Sequence, residues 1–330
     1  MRPLSTKEYS IVDTHTAGEP TRIVTGFRRV RGASMAEVKA QMQSKHDWFR
    51  RFVMREPRGH NDMFGAVLFP PKRKGCDLGV VFMDNGGYLD MCGHGIIGVI
   101  TCAVQMGIIK PKPEILVDTP AGTVKTRIQR RKRQVKSVSF VNVPAFKFRT
   151  TEVEIAGRSI PVDIAFGGNV FAHVYARDVG IKIEPENKNE IIDLGMKILD
   201  AINSQEKIVH PEHSGINRVQ EVQVSGPPKS KGVHAQNVVV FGNGQMDRSP
   251  CGTGTCAKMA LLHSEGKLGI GDWFVHESII KTRMKGRLLS ETKVAEYDAV
   301  VPEIVGSAYI TGFNRLVRDR KDPLADGFLL

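Results

Sequence analysis

The order of apolar and polar positions divides the chain into many short strand-like runs and two stretches whose apolar residues encircle a helix. Runs ending in glycines occupy 79–87, with Val80, Val81 and Phe82, and 238–244, with Val239, Val240 and Phe241. Helical periodicity follows each of them. In the first stretch Ile96, Ile97, Val99, Ile100, Ala103, Val104 and Met106 cover most sides, which predicts a helix buried nearly all round. In the second, Ala257, Met259, Ala260, Leu261 and Leu262 have the same character, and Gly266 supplies the stop. Strands are expected over 137–143, 220–224, 238–241 and 307–311, and longer surface helices over 36–53 and 189–202.

The chain also repeats itself once. Met91-Cys92-Gly93-His94-Gly95 returns as Pro250-Cys251-Gly252-Thr253-Gly254, an offset of 251 − 92 = 159. Asp13-Thr-His-Thr-Ala-Gly18, with Ile23 and Val24 downstream, is echoed by Asp163-Ile-Ala-Phe-Gly-Gly168 with His173 and Val174, an offset of 163 − 13 = 150. Two similar offsets predict a domain duplication, not a solenoid. The class is α+β: two pseudo-symmetric domains, each a mostly antiparallel sheet or barrel wrapped around a central helix. The first is expected over 1–125, completed by 305–330, and the second over 126–304.

At 330 residues the chain is long enough for two such cores, and 41% apolar with 25% charged residues is a globular composition. The net charge of +12 raises the question of nucleic acid. The densest basic cluster, Arg130-Arg131-Lys132-Arg133, lies between the alternating runs 124–128 and 135–140, which makes it a solvated hairpin tip, and no interleaved aromatics accompany it. Residues 1–20 hold no apolar segment of signal-peptide length, and the most apolar stretch, 95–109, falls short of the roughly 20 residues of a membrane span. Five cysteines form no disulfide framework, so the expected compartment is the cytoplasm. Cys76 and Cys102 stand outside the repeated phrase and are expected to pack.

Four readings compete for the repeated Cys-Gly-x-Gly phrase. Gly93, Gly95 and Gly98, like Gly252, Gly254 and Ala257, fit a dinucleotide fingerprint, but the neighbouring runs look antiparallel and Asp118 is poorly placed for a ribose. A metal site would need wider ligand spacing than Cys92 to His94, and Cys256 falls inside the helix. A small cysteine in a tight turn without chemistry is the bland reading. The fourth is acid–base catalysis by a thiol and a thiolate, one on each face of a carbon centre. A helix N-terminus favours the thiolate and can lower its pKa towards about 7. The N–H groups of Gly93, His94, Gly252 and Thr253 could also hold a carboxylate and the charge that develops on it.

The chain resembles the proline racemase family, which includes hydroxyproline 2-epimerases and shares the diaminopimelate epimerase-like fold. The resemblance rests on Asp13-Thr-His-Thr-Ala-Gly-Glu-Pro-Thr-Arg22, Arg55-Glu-Pro-Arg-Gly-His60, Met91-Cys-Gly-His-Gly95, Asp118-Thr-Pro-Ala-Gly122 and Asp247-Arg-Ser-Pro-Cys-Gly-Thr-Gly-Thr255. It implies that Cys92 and Cys251 are the acid–base pair and that the reaction needs no cofactor and no metal. It further implies that His94 and Asp247 contact the substrate's ring nitrogen and support the thiols. Family dehydratases typically carry threonine in place of the second cysteine, so Cys251 points to racemisation or epimerisation. Phe64 and Phe241 match positions where proline racemases carry phenylalanine, which favours proline over 4-hydroxyproline because a ring hydroxyl would lack a partner there. The expected partners are this small-molecule substrate and a second copy of the chain in a homodimer, with neither nucleic acid nor membrane. A 4-hydroxyproline 2-epimerase, a thiol redox protein using Cys92 and Cys251, and a non-catalytic imino-acid binder are the alternatives.

Overall fold

The strand-rich pattern folds as two units, one running to Ser139 and resuming at Ser307, the other spanning Phe140–Gly306. The computed structural model describes residues 6–27 and 30–330. In chain order the first unit contains β1 (Thr6–Thr16), β2 (Glu19–Val24), α1 (Met35–Lys45), α2 (Asp47–Met54), β3 (Gly65–Phe69), β4 (Leu78–Met83), β5 (Tyr88–Leu89), α3 (Gly93–Gln105), β6 (Glu114–Thr119) and β7 (Gly122–Arg131). The strand β8 (Gln134–Val141) leads across to the second unit. There follow β9 (Ala145–Ile155), β10 (Arg158–Phe166), β11 (Val170–Tyr175), α4 (Ala176–Val179), α5 (Lys188–Gln205), β12 (Glu221–Gly226), β13 (Ala235–Phe241), β14 (Gln245–Asp247), α6 (Gly252–Ser264), β15 (Trp273–Glu277), β16 (Arg283–Val294) and β17 (Tyr297–Gly306). Finally β18 (Ala308–Asp319) returns to the first unit and pairs with β1.

The duplication is visible strand by strand. β1–β2 is antiparallel, β2–β3 parallel, β3–β4 and β4–β5 antiparallel, β4–β6 parallel and β6–β7 antiparallel. β10–β11, β11–β12, β12–β13, β13–β14, β13–β15 and β15–β16 repeat the same sequence of senses. Parallel neighbours need a crossover. Accordingly α1 and α2 separate β2 from β3, α4 and α5 separate β11 from β12, and the central helices α3 and α6 separate β4 from β6 and β13 from β15. In the second unit β16–β17, β17–β9 and β9–β10 pairings bring the sheet round on itself, so α6 sits within a closed wall of strands. This is the α+β, helix-in-sheet architecture that the sequence pattern predicts.

Both central helices are buried from their first residue, α3 over 93–104 and α6 over 252–261. They end alike: Gly107 and Gly266, at φ 69° and 68°, each follow the last turn, and Ile108 and Lys267 donate back to Ala103 and Leu262. Here 266 − 107 = 159, the offset of the cysteines, so the left-handed glycine stop is part of the repeat.

Two boundaries differ from the sequence reading. The division falls between Ser139 and Phe140, not between 125 and 126, because β7 is paired along its first half with β6 and stays in the first unit. The stretch 36–53 is two helices, not one. Ser34 caps α1, its Oγ accepting from Glu37 N at 3.2 Å, and the chain leaves helical geometry at His46 (φ −133°, ψ 18°) before Asp47 starts α2. The turn delivers Phe49 and Phe52 to Tyr9, with ring centroids at 4.9 and 5.6 Å, and Phe49 to Phe27 at 4.1 Å. Each buried phenylalanine contributes roughly 2–3 kcal/mol by leaving water, so α2 is core and not the surface helix expected. The basic cluster at 130–133 does lie exposed at a hairpin tip, with Lys132 at φ 57°.

Candidate active site

In the first unit Cys92 is the N-cap of α3, in ordinary extended geometry (φ −150°, ψ 130°), and its thiol is partly exposed. His94, two residues on, folds back so that Nδ1 lies 3.2 Å from the Cys92 sulfur. Burial pushes the His94 imidazole down to about 3, against the opposing pull of the Pro20 carbonyl, so the ring is neutral beside the thiol. Thr16 Oγ1 donates to the His94 carbonyl at 2.9 Å, which ties the first turn of α3 to the end of β1. Phe64, buried just before β3, meets the His94 ring edge-on with centroids 4.4 Å apart. A Cβ on Gly95 would lie 2.7 Å from Phe82 and 3.1 Å from Phe64, so the repeated glycine is required here by aromatic packing.

The loop that delivers Cys92 is held from below. Asp84 Oδ1 accepts from Gly86 N and Gly87 N at 2.7 Å each, and burial raises the Asp84 carboxyl above its ordinary range. Arg50 Nη1 donates to the carbonyls of Asp84 and Asn85 at 3.0 and 2.6 Å, while Asn85 donates to the His60 and Asn61 carbonyls. Sequence reasoning missed Arg50 because it lies inside an apparently amphipathic surface helix.

In the second unit Cys251 is the N-cap of α6, but at φ 60° and ψ 116°. Its sulfur accepts from Gly254 N at 3.4 Å, lies 3.5 Å from Thr253 Oγ1, and donates to Glu221 Oε2 at 3.9 Å. The backbone is fixed on both sides, by Ser249 Oγ accepting from Cys251 N at 3.1 Å and by Thr255 Oγ1 donating to the Cys251 carbonyl at 2.7 Å. A Cβ on Gly254 would lie 2.4 Å from Gln223 Oε1 and 3.2 Å from the Cys251 sulfur, so this glycine leaves room for the thiol itself. Gly167 plays a related part from the β10–β11 turn: a Cβ there would lie 2.3 Å from the Thr253 carbonyl.

The sequence reading expected a helix N-terminus to lower the thiol. At Cys251 the balance is the other way: burial, then the charges of Glu221 and Asp247, push the thiol well above its ordinary value and outweigh the Thr253 hydroxyl and Gly254 N–H. Asp247 is buried, its Oδ1 accepting from Ser249 N at 2.7 Å, and burial pushes its carboxyl up to about 6. Gly252 and Thr253 are buried in the first turn, and Phe241 packs against the apolar cluster of Cys251, Phe171, Val239 and Ala257. Strand register assembles this half: Phe241 stands opposite Glu221 on β12 and Val239 opposite Asp247 on β14. Glu221 escaped the sequence reading, as did Asn169, which donates to Glu221 Oε1 at 2.5 Å.

The proline racemase family model matches residues 11–329. A proline racemase of Clostridioides difficile is 47% identical over 325 residues, covering 97% of each chain. The chain belongs to the proline racemase family. A probable 4-hydroxyproline 2-epimerase of Rhizobium meliloti is 41% identical, covering 99% of this chain and all of that one. Among solved structures, a hydroxyproline epimerase from Agrobacterium vitis with bound trans-4-hydroxy-L-proline superposes with a TM-score of 0.89 at 29% identity, covering 100% of this chain and 97% of that one.

As a member of the proline racemase family the chain is an isomerase of the racemase and epimerase class. The remaining motif residues have structural partners. Asp118 Oδ2 accepts from Lys72 N and Arg73 N at 2.8 Å, holding a loop and not a ribose. Arg22 forms a paired contact with Asp13, Nε to Oδ1 at 2.9 Å, and also donates to the Val53 carbonyl. Cys102 and Cys256 are buried within the two central helices and pushed up to about 12 by that burial. Cys76 is half-buried with its sulfur 3.6 Å from Thr123 Oγ1. Among the described residues no helix is long and apolar enough to cross a membrane.

Proposed function

We propose that the chain is a cofactor-independent proline racemase in which Cys92 and Cys251 act on opposite faces of the α-carbon. One thiolate takes the α-proton, and the electron pair left on carbon spreads into the carboxylate. The other thiol then gives its proton to the opposite face, so the two sulfurs exchange protonation states with each turnover. The N–H groups of Gly93, His94, Gly252 and Thr253 at the two helix starts stabilise the charge on the carboxylate. His94 and Asp247 meet the ring nitrogen, and Phe64 and Phe241 face the ring.

The observation that carries this reading is the recurrence of one arrangement: a thiol at the N-cap of a helix buried from its first turn, once in each half. The two phenylalanines support proline as substrate, since Phe64 packs on His94 and Phe241 on the Cys251 cluster. Five cysteines, none of them in a disulfide among the described residues, support a reducing compartment, the cytoplasm. The apolar side chains Tyr309, Phe313 and Val317, 61%, 65% and 46% exposed along β18, support a homodimer. Sedimentation at several concentrations tests that assembly.

The deciding experiment incubates each enantiomer of proline, and trans-4-hydroxy-L-proline, in D2O and follows the α-position by NMR and the products by chiral chromatography. Exchange and racemisation of both proline enantiomers, with a lower kcat/KM for hydroxyproline, is the expected result. A higher kcat/KM for hydroxyproline would make the chain a 4-hydroxyproline 2-epimerase, and no exchange with either compound would refute acid–base catalysis.

A further inference from the structure

Glu221 is the residue beside a candidate catalytic sulfur that the mechanism above does not use. It opens β12, opposite Phe241 on β13 and alongside Phe171 on the parallel strand β11. Its two carboxylate oxygens face different partners: Oε1 accepts from Asn169 Nδ2 at 2.5 Å, and Oε2 accepts from the Cys251 sulfur at 3.9 Å. Asn169 sits in the turn between β10 and β11, next to Gly167 and Gly168, which press on the first turn of α6. The carboxylate and the helix that carries the thiol are therefore held by the same turn.

We propose that Glu221 is a positioning residue for Cys251: clamped by Asn169, its carboxylate accepts the Sγ–H of the free enzyme and aims that proton-bearing sulfur along the α6 N-terminus. This rests on the reading of Cys251 as one of the two acid–base groups. The electrostatics agree with the geometry. The groups facing the sulfur are the Glu221 carboxylate from β12, the Asp247 carboxylate from β14, the Thr253 hydroxyl and Gly254 N–H from α6, and the apolar rings of Phe171 and Phe241. Burial and the two carboxylates outweigh the two donors, so the proton stays on sulfur. Cys251 then carries its proton in the free enzyme.

The matching place in the first half holds an imidazole. Cys92 has His94 on its sulfur.

The test compares wild type with Glu221→Gln, Glu221→Asp and Asn169→Ala by two readouts: the pH dependence of kcat/KM, and the pH dependence of alkylation at Cys251 and Cys92, resolved by peptide mass spectrometry. Glutamine keeps an oxygen for Asn169 but turns a neutral amide towards the sulfur. The expected result is that the alkaline limb of kcat/KM and the Cys251 alkylation midpoint both move to lower pH by about one unit. Cys92 is expected not to move, Asn169→Ala to move Cys251 partway, and Glu221→Asp to restore part of the wild-type profile. An unshifted Cys251 midpoint in Glu221→Gln overturns the proposal, and so does an equal shift at Cys92. Absence of α-proton exchange in the wild type would sink the racemase reading instead, and the alkylation profile would still decide the role of Glu221.

Discussion

Cys251 has φ +60° where Cys92, at the same place in the other half, has φ −150°. A non-glycine residue in that region carries strain of order 1 kcal/mol or more, sustained when its surroundings over-determine it. Here Ser249 and Thr255 fix the backbone from both sides, and the thiol is aimed at Gly254 N and Glu221. Cys251→Gly is therefore expected to be more stable to urea than Cys251→Ala by about 1 kcal/mol, the reverse of the usual ordering. A more stable alanine variant would show that the backbone at this N-cap is unstrained.

The duplication was legible because the Cys-Gly phrase with its apolar helix, and the Asp13–Gly18 phrase, each recur at a similar offset; the matching glycine stop, Gly107 and Gly266, shows only in the backbone. The polar contents of the second half were not legible, and β12 shows why. Glu221, Gln223 and Ser225 alternate with Val222 and Val224, the pattern of a strand with one wet face. In the structure Val222 and Val224 pack in the cluster with Ile191, Ile198 and Ile202 of α5, while Gln223 and Ser225 are buried on the other side. Both faces are interior, and only the register of β12 on β13 reveals that the polar one leads to Cys251. Arg50 was hidden for a related reason: the break at His46 turns its face of the helix inward.

Replacement of either Cys92 or Cys251 by serine is expected to lower kcat for proline racemisation by at least roughly 100- to 10,000-fold, since a hydroxyl is too weak an acid at neutral pH to exchange the proton. Circular dichroism should be unchanged. A variant retaining more than a tenth of wild-type turnover would rule out the two-thiol mechanism.

The pH dependence of stability follows from buried groups of known direction. His94 and His276 are pushed down to about 3 and His173 well below its ordinary value, all by burial. The unfolded chain therefore binds these protons first, and the stability they contribute is complete above pH 6.5 and lost as pH falls below it. Asp247, raised to about 6, and Asp84, also raised, act oppositely, stabilising at low pH and losing that effect as pH rises through their folded values. With His210 also lowered by burial, four histidines against two carboxylates leave a net loss on acidification. Above about 9 the raised thiols of Cys102, Cys251 and Cys256 reverse the trend, since the unfolded chain ionises first. Urea midpoints should thus form a plateau between about pH 6.5 and 8.5, falling on both sides, and the His94 ring should not titrate by NMR down to pH 4. A midpoint that rises between pH 6.5 and 5 would contradict the burial of neutral imidazoles.

Phe241 packs beside Cys251 and opposite Glu221, so a polar side chain in its place offers a partner to a ring hydroxyl. Phe241→Asn is expected to raise kcat/KM for 4-hydroxyproline relative to proline by about tenfold, chiefly by lowering the value for proline. Parallel assays of both imino acids measure the ratio. An unchanged ratio would remove Phe241 from the set of specificity residues.

The two glycines of the α6 repeat separate space from conformation. Gly254 has no positive φ, but a Cβ would intrude to 2.4 Å from Gln223 Oε1 and 3.2 Å from the Cys251 sulfur; Gly266, at φ 68°, has nothing within 4 Å. Gly254→Ala must displace the Gln223 amide and crowd the thiol by a few tenths of an ångström, and should cost about 1–3 kcal/mol together with most of kcat. Gly266→Ala meets open space and strains only the left-handed stop, which costs about 1 kcal/mol and leaves kcat intact. Urea denaturation and kcat measured on the same two preparations distinguish them. If Gly254→Ala kept full turnover, the glycine of the Cys-Gly phrase would not be there to seat the sulfur, and close packing of α6 on β12 would be its sole reason.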